Sequence, residues 1–320
     1  MLVKEIFDLG LKMSIKADPR GPKGVEQYLA DVKKEYENAK PKEREYFDKE
    51  RLTNPYADSR VHVDGGKIQV KRVMAGIDID AGEILLASQL NERGKKIDLV
   101  IAHHPTGLSL ANLSGVLDMQ VEVLSQAGVP VHVAEKIMEE RAKEVGRSVH
   151  PFNHFQLVDI AKTLGVNLIN THTVTDNLVF EFLDKYLKKV NPRTIGDLLD
   201  ALLEIPEYQE GKRRSAGPCL FAGSPRHRVG EFLLEMTGGT NPSDKVYKEM
   251  SRYGVSTIVG MHMKDKSRDA ASEHHMNVVI AGHIASDSLG MNLFLDELEK
   301  KGIEVVPCGG LIRVNRNKKK

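Results

Sequence analysis

A chain of 320 residues is long for a single core and predicts one large or two medium domains. Lys+Arg 46 against Asp+Glu 45 leaves a formal charge of +1, with 41% hydrophobic and 28% charged residues. An ordinary soluble globular protein is expected, and the charge gives no reason to look for nucleic acid or an anionic membrane. Cys219 and Cys308 stand alone without paired spacing, which fits a reducing compartment and argues against a disulfide framework or a zinc–thiolate site. The start lacks the basic-then-apolar pattern of a signal peptide, and no uncharged run approaches spanning length. The expectation is a cytoplasmic protein with no membrane partner, ending in a solvated tail at residues 318–320.

The first sixty residues read as helical and polar. Residues 3–16 carry apolar positions at helical spacing, and residues 24–51 form a charge-laced helix broken near Pro41. From about Gln69 the pattern becomes strand, helix, strand. Residues 70–77 are an apolar strand, and Asp80-Ala81-Gly82-Glu83 has the capping-box spacing that opens a helix to about Arg93. Residues 97–102 form a second strand, and residues 111–164 are mostly helical around an apolar piece at 129–133. Further strands are predicted at 166–170, 218–222, 229–236, 255–261, 277–281, 303–306 and 311–314. Helices are predicted at 177–189, 195–204, from about 243, and from 283 to about 300. The expected boundaries are a helical extension at 1–66, a first α/β half at 67–176 with a helical insertion at 106–165, and a second α/β half at 177–320.

Three predicted strands deliver polar motifs at their carboxyl ends, where open α/β sheets bind ligands. These are His103-His104-Pro105, Thr171-His172-Thr173 with Asp176, and Gly282-His283 with Asp287. Imidazoles and carboxylates in this combination suit divalent transition metals. His283 and Asp287, at i and i+4, share one helix face. Each motif also has a local reading: Asp176 as a helix N-cap, or Asp287 serving free amides with His283 as an N-cap-like residue. Three such motifs at three strand ends favour a shared site. His262 follows an apolar strand and is a candidate proton shuttle, whereas His274-His275 read as the exposed end of a helix. His132, Glu135 and Glu139 read as a solvated helix face. Gly238-Gly239 is no phosphate loop, Gly309-Gly310 reads as a hairpin turn, and neither cysteine has a neighbouring base.

These motifs in this order resemble the NIF3-like (NGG1-interacting factor 3) family, also described as GTP cyclohydrolase 1 type 2 homologues. The resemblance runs over residues 68–105 and 164–315: strand and His-His-Pro at 97–105, the His-Thr–x–x–Asp element at 168–176, and the Gly-His–x–x–Ser–Asp element at 282–287. It implies an α/β fold of two similar halves with mixed sheets facing a metal-containing cleft, and a toroidal homohexamer. It also implies two divalent ions per chain, whose identity stays open because two carboxylates and three imidazoles suit iron, zinc, manganese or cobalt. His103 and His104 would each serve one ion, Asp176 and Asp287 would bridge or nearly bridge, and His283 would be a further ligand, with His172 beside Asp176. The chain departs from the family in carrying Asp287 for the usual Glu, His262 for an acidic residue and Lys266 for a frequent His. An early Asp-Asn–x–Gly-Leu stretch is not recognisable in residues 50–67, and the segment from His104 to Asp176 is long.

The function expected on this basis is a dinuclear metal-dependent hydrolase whose ions, about 3.5 Å apart, share a bridging water. His262 or His172 would act as general acid or base. The substrate would be a cyclic amide or amidine of pterin or purine type, or a phosphoester. The alternative is a non-catalytic, metal-binding or regulatory ring-shaped assembly. Binding of single-stranded nucleic acid is poorly served by near-zero charge and 5% aromatic residues.

Overall fold

The computed structural model describes residues 1–317, so the tail expected to be solvated lies outside the described residues. Two mixed sheets organise the chain. The first contains β1 (Ser59–Val63), β2 (Arg72–Gly76), β3 (Leu99–Ala102) and β4 (Leu168–Thr171). The second contains β5 (Cys219–Ala222), β6 (Glu231–Glu235), β7 (Val255–Gly260) and β8 (Asn277–Ile280). The last strand, β9 (Glu304–Cys308), returns to the first sheet, whose order is β1-β4-β3-β2-β9; the second runs β5-β8-β7-β6. In each sheet a leading edge strand, β1 or β5, is antiparallel to its neighbour, and the remaining pairs are parallel. The two halves are therefore similar, β1-β4-β3-β2 matching β5-β8-β7-β6. Every residue of β3, β4 and β8 is buried, which is why these strands read as short apolar runs rather than as alternating ones.

Most of the expected elements are present. The capping box forms as predicted: Asp80 Oδ1 accepts from Gly82 N at 2.7 Å, and Glu83 Oε2 accepts from Asp80 N at 3.0 Å, at the head of the helix Ala81–Glu92. The charged helix Gly21–Asn38 stops before Pro41, which opens the short helix Pro41–Glu45. The helix Val3–Ala17 is not a loose appendage. It buries Val3, Ile6, Phe7, Gly10, Leu11 and Ser14, and joins one core with Val174, Leu178 and Phe294.

Four expectations need correction. Residues 129–133 lead through the cap residue Pro130 into the helix Val131–Val149 rather than forming a separate apolar piece. The helix expected from 177 begins five residues earlier, as His172–Val190, so Asp176 is no N-cap. Gly282, with φ 112°, takes the cap position expected of His283, which is instead the first residue of the helix. No strand forms at 311–314, so Gly309-Gly310 is a turn without a hairpin. The physical reason is that the neighbouring helix takes up this backbone. Ile312 N donates to Ser288 Oγ at 3.0 Å, Ile312 O accepts from Asn292 Nδ2 at 2.8 Å, and Arg313 pairs with Asp296 at 2.6 Å. Side chains thus do what a partner strand would have done.

Two long helices position the site. His172–Val190 leaves β4 and His283–Lys300 leaves β8, each starting at a strand's carboxyl end. They pack so closely that a Cβ on Gly290 would lie 2.3 Å from the Thr175 carbonyl oxygen. Only glycine fits there.

Candidate metal centre

The parallel strands of both sheets point their carboxyl ends at one cleft. From the first sheet, β2 leads to Asp78, β3 to His103 and His104, and β4 to His172 with Asp176 a turn later. From the second, β6 ends at Glu235, β7 leads to His262, and β8 leads to His283 with Asp287 a turn later. The same His–x–x–x–Asp spacing opens both long helices, so helical periodicity alone turns each pair toward the shared cleft.

Asp287 is the centre of the cluster. It is 1% exposed, and its carboxylate oxygens lie 3.5 Å from His103 Nε2, 3.5 Å from His104 Nε2 and 3.3 Å from His283 Nε2. Asp176 Oδ1 lies 3.5 Å from His103 Nε2, and His104 Nε2 lies 3.4 Å from His283 Nε2. Three sets of residues have ligand atoms close enough to share an ion: His103, His104 and His172; His104, His283 and Asp287; His103, Asp176 and Asp287.

Outer partners fix which ring nitrogen faces inward. Asp78 Oδ1 takes His104 Nδ1 at 2.6 Å, and Asp58 Oδ2 takes His172 Nδ1 at 2.8 Å while also accepting from Thr173 Oγ1 at 2.7 Å. Thr175 Oγ1 lies 2.9 Å from His103 Nδ1 and donates its own proton to Thr171 O at 2.6 Å, so it accepts from the imidazole. Each of the three rings therefore keeps a proton on Nδ1 and turns its Nε2 to the cleft. This is the outer-shell arrangement of metal-binding histidines.

The residues fit a divalent ion. Asp176 Oδ1 and both Asp287 oxygens are buried with no hydrogen-bond partner. They face ring nitrogens at 3.3–3.5 Å, beyond a good hydrogen bond. Lone pairs converging at such distances in a buried place are costly unless a cation or protons sit among them.

Electrostatics divides the protons unevenly in the metal-free site. Burial, followed by the charges of Asp287 and Asp58, raises Asp176 well above the usual carboxylate range. Burial also works to raise Asp287, but His103, His104 and His283 outweigh it and hold Asp287 at about 2. Burial drives His103 well below an ordinary histidine. Burial opposes protonation of His104 too, yet the Asp287 and Asp78 carboxylates lift it to about 9. His262, at the solvent-facing rim, has its ring 4.6 Å from that of His283; desolvation within the cleft and then His283 push its pKa down.

The cluster floors a cavity of about 50 Å³, lined by His172, Asp176, His262, His283 and Asp287 on one side and by Gln120, Glu235 and Thr237 among others. The structure thus brings together all seven residues singled out in the sequence. Sequence reasoning missed Asp58, Asp78 and Thr175, which aim the imidazoles. Asp58 lies in the stretch where the family's early motif was sought without success. His274 caps the helix Asp265–Glu273 as expected, and His132, Glu135 and Glu139 are exposed.

No family model and no curated protein matches the chain. Solved structures do. A NIF3 superfamily protein from Sphaerobacter thermophilus is 26% identical, with 97% of this chain and 100% of that chain covered and a TM-score of 0.75. Reduced HcgD from Methanocaldococcus jannaschii is 13% identical over 83% of this chain and 94% of that one, with a TM-score of 0.47. A Bacillus cereus protein related to NIF3 is 10% identical over 99% and 98%, with a TM-score of 0.47. With two similar mixed α/β halves and a full-length match to the Sphaerobacter thermophilus protein, the chain is NIF3-like in its fold.

Proposed function

We propose that the chain is a metal-dependent hydrolase holding two divalent ions through His103, His104, Asp176, His283 and Asp287. The observation that carries this reading is the set of three unpartnered, buried carboxylate oxygens facing imidazole Nε2 atoms at the floor of a cavity. Bound ions would supply Lewis-acid polarisation of a substrate oxygen and a lowered pKa for water. Asp58 holds His172 with Nε2 toward the cavity, and His262 stands at the rim, so both can carry a proton to or from a bound substrate. The cavity admits roughly three waters or one small functional group. The reacting edge of a cyclic amide, amidine or phosphoester therefore enters while the rest of the molecule stays outside. Iron, zinc, manganese and cobalt all suit this donor set. A homohexameric ring is part of this proposal, on the strength of the family resemblance alone. No helix among the described residues is long and apolar enough to cross a membrane.

The test is elemental analysis of protein purified without chelator or histidine tag. About two metal equivalents per chain are expected, and neither metal nor uptake on reconstitution would leave the alternative of a non-catalytic assembly. A second expectation concerns protons. Near neutral pH the metal-free His104, lifted to about 9, carries a proton that a metal must displace. Metal uptake should therefore release protons, seen as a buffer-dependent heat in calorimetry, and His104→Gln should reduce the number released. An equal release from that variant would remove His104 from the ligand set.

A further inference from the structure

Glu235 ends β6 in the second sheet and stands outside the His/Asp cluster. Its Oε2 receives only long hydrogen bonds, from Tyr247 Oη at 3.4 Å and Asn241 Nδ2 at 3.4 Å, and its Oε1 is buried with no donor. Burial pushes its pKa up to about 7 against the pull of Tyr247 and Asn241. Gln120 lines the same cavity and is 6% exposed. Its Nε2 is committed to Gly238 O at 2.9 Å and Thr240 O at 2.6 Å, so its amide orientation is fixed and Oε1 is also buried without a donor. Nearby donors are already engaged: Thr237 Oγ1 gives its proton to Asn177 Oδ1 at 2.6 Å, and Asn241 Nδ2 binds His262 O at 3.0 Å. Leu233, Met236 and Met261 fill in the apolar part of the lining. Two buried acceptors without donors on one cavity is an arrangement proteins rarely leave unanswered.

We propose that Glu235 and Gln120 form an acceptor wall that recognises a substrate group with two N–H donors, of amidine or aminopyrimidine type, and holds it over the His/Asp cluster. The inference rests on reading this cavity as the substrate site and narrows its chemistry. A donor edge satisfies both oxygens at once. A phosphoester or carboxylate would bring more lone pairs against them, and a site built to accept hydrogen bonds rejects a ligand that lacks donors. Glu235 and Gln120 therefore set specificity, and the phosphoester reading loses ground.

The test uses acetamidine hydrochloride as the probe, followed by saturation-transfer NMR on the protein as purified, at about pH 8 so that Glu235 is charged. Wild type should bind it, and Glu235→Gln and Gln120→Leu should each weaken binding about tenfold while leaving metal content unchanged. Unaltered binding in both variants would overturn the wall. Should Glu235→Gln fold poorly, Gln120→Leu alone decides. His103→Ala separates this idea from the hydrolase reading, because a metal-stripped variant should keep acetamidine binding within about twofold. A wild type that holds metal but ignores acetamidine would sink the wall alone. A wild type that binds acetamidine without holding metal would sink the metal reading and spare the wall.

Discussion

Replacing Asp287 with alanine should empty the site while leaving the sheets folded. Among the described residues, Asp287 lies within 3.5 Å of His103, His104 and His283 together, and both its oxygens are buried without hydrogen bonds. Removing it leaves the imidazoles with no common anion. Changes to mere supporting residues around a metal cost roughly 10–100-fold in affinity, so loss of a central ligand should exceed about 100-fold. Elemental analysis after dialysis should find little metal in Asp287→Ala, with unchanged far-ultraviolet circular dichroism. Asp287→Glu should retain metal, since it adds one methylene and supplies the residue that the family resemblance leads one to expect at this position. His274→Ala, at the end of a helix and outside the cluster, should match wild type. Full loading of Asp287→Ala would place the metal elsewhere.

The second large effect is steric. Gly290→Ala should destabilise the protein and lower its metal content without touching a ligand. The added Cβ would sit 2.3 Å from Thr175 O and 2.8 Å from Val179 Cγ2, and the oxygen belongs to backbone that cannot swing aside. Overpacking of this kind costs on the order of 3 kcal/mol, which for a chain of this size lowers Tm by roughly 4–5 °C. The displaced residue, Thr175, holds His103 and precedes Asp176, so separating the two helices also separates Asp176 from Asp287. Gly146→Ala is the comparison: it lies inside the helix Val131–Val149, and its nearest neighbour would be Ser114 Oγ at 3.5 Å, an ordinary contact. That variant should gain up to about 1 kcal/mol from helix propensity. Similar melting of the two variants would show that the helix contact is not tight.

The site was legible where its chemistry repeats with the period of the backbone. His283 and Asp287 share a helix face because of their spacing, and His103-His104 announce themselves by following an apolar strand. The outer partners carry no such signature. Asp58 is 114 residues from His172, and Thr175 is 72 residues from His103. Each is a single polar residue whose importance comes from tertiary contact alone. Asp78 was overshadowed by Asp80, whose capping role is local and hence visible. The same division holds for the fold. Buried parallel strands appear as apolar runs, whereas β1 was hidden because its five residues mix Ser, Arg and His with two valines. Leu311 to Val314 misled in the opposite direction: apolar residues in series suggested a strand, and Ser288 and Asn292 on the adjacent helix had already claimed the backbone.

The return of β9 to the first sheet bears on how the chain is made. Val73 pairs with Val305, and Arg72 Nε reaches Glu304 Oε2 at 2.8 Å across 232 residues of sequence. One side of β2 therefore stays without its partner until β9 has left the ribosome. Contacts of such long separation are closed late and slowly, and an unpaired strand edge invites pairing with other chains. Half-length nascent chains should accordingly be the species most prone to aggregate, and stalling translation before residue 304 should leave the first sheet protease-sensitive while stalling well beyond residue 308 protects it.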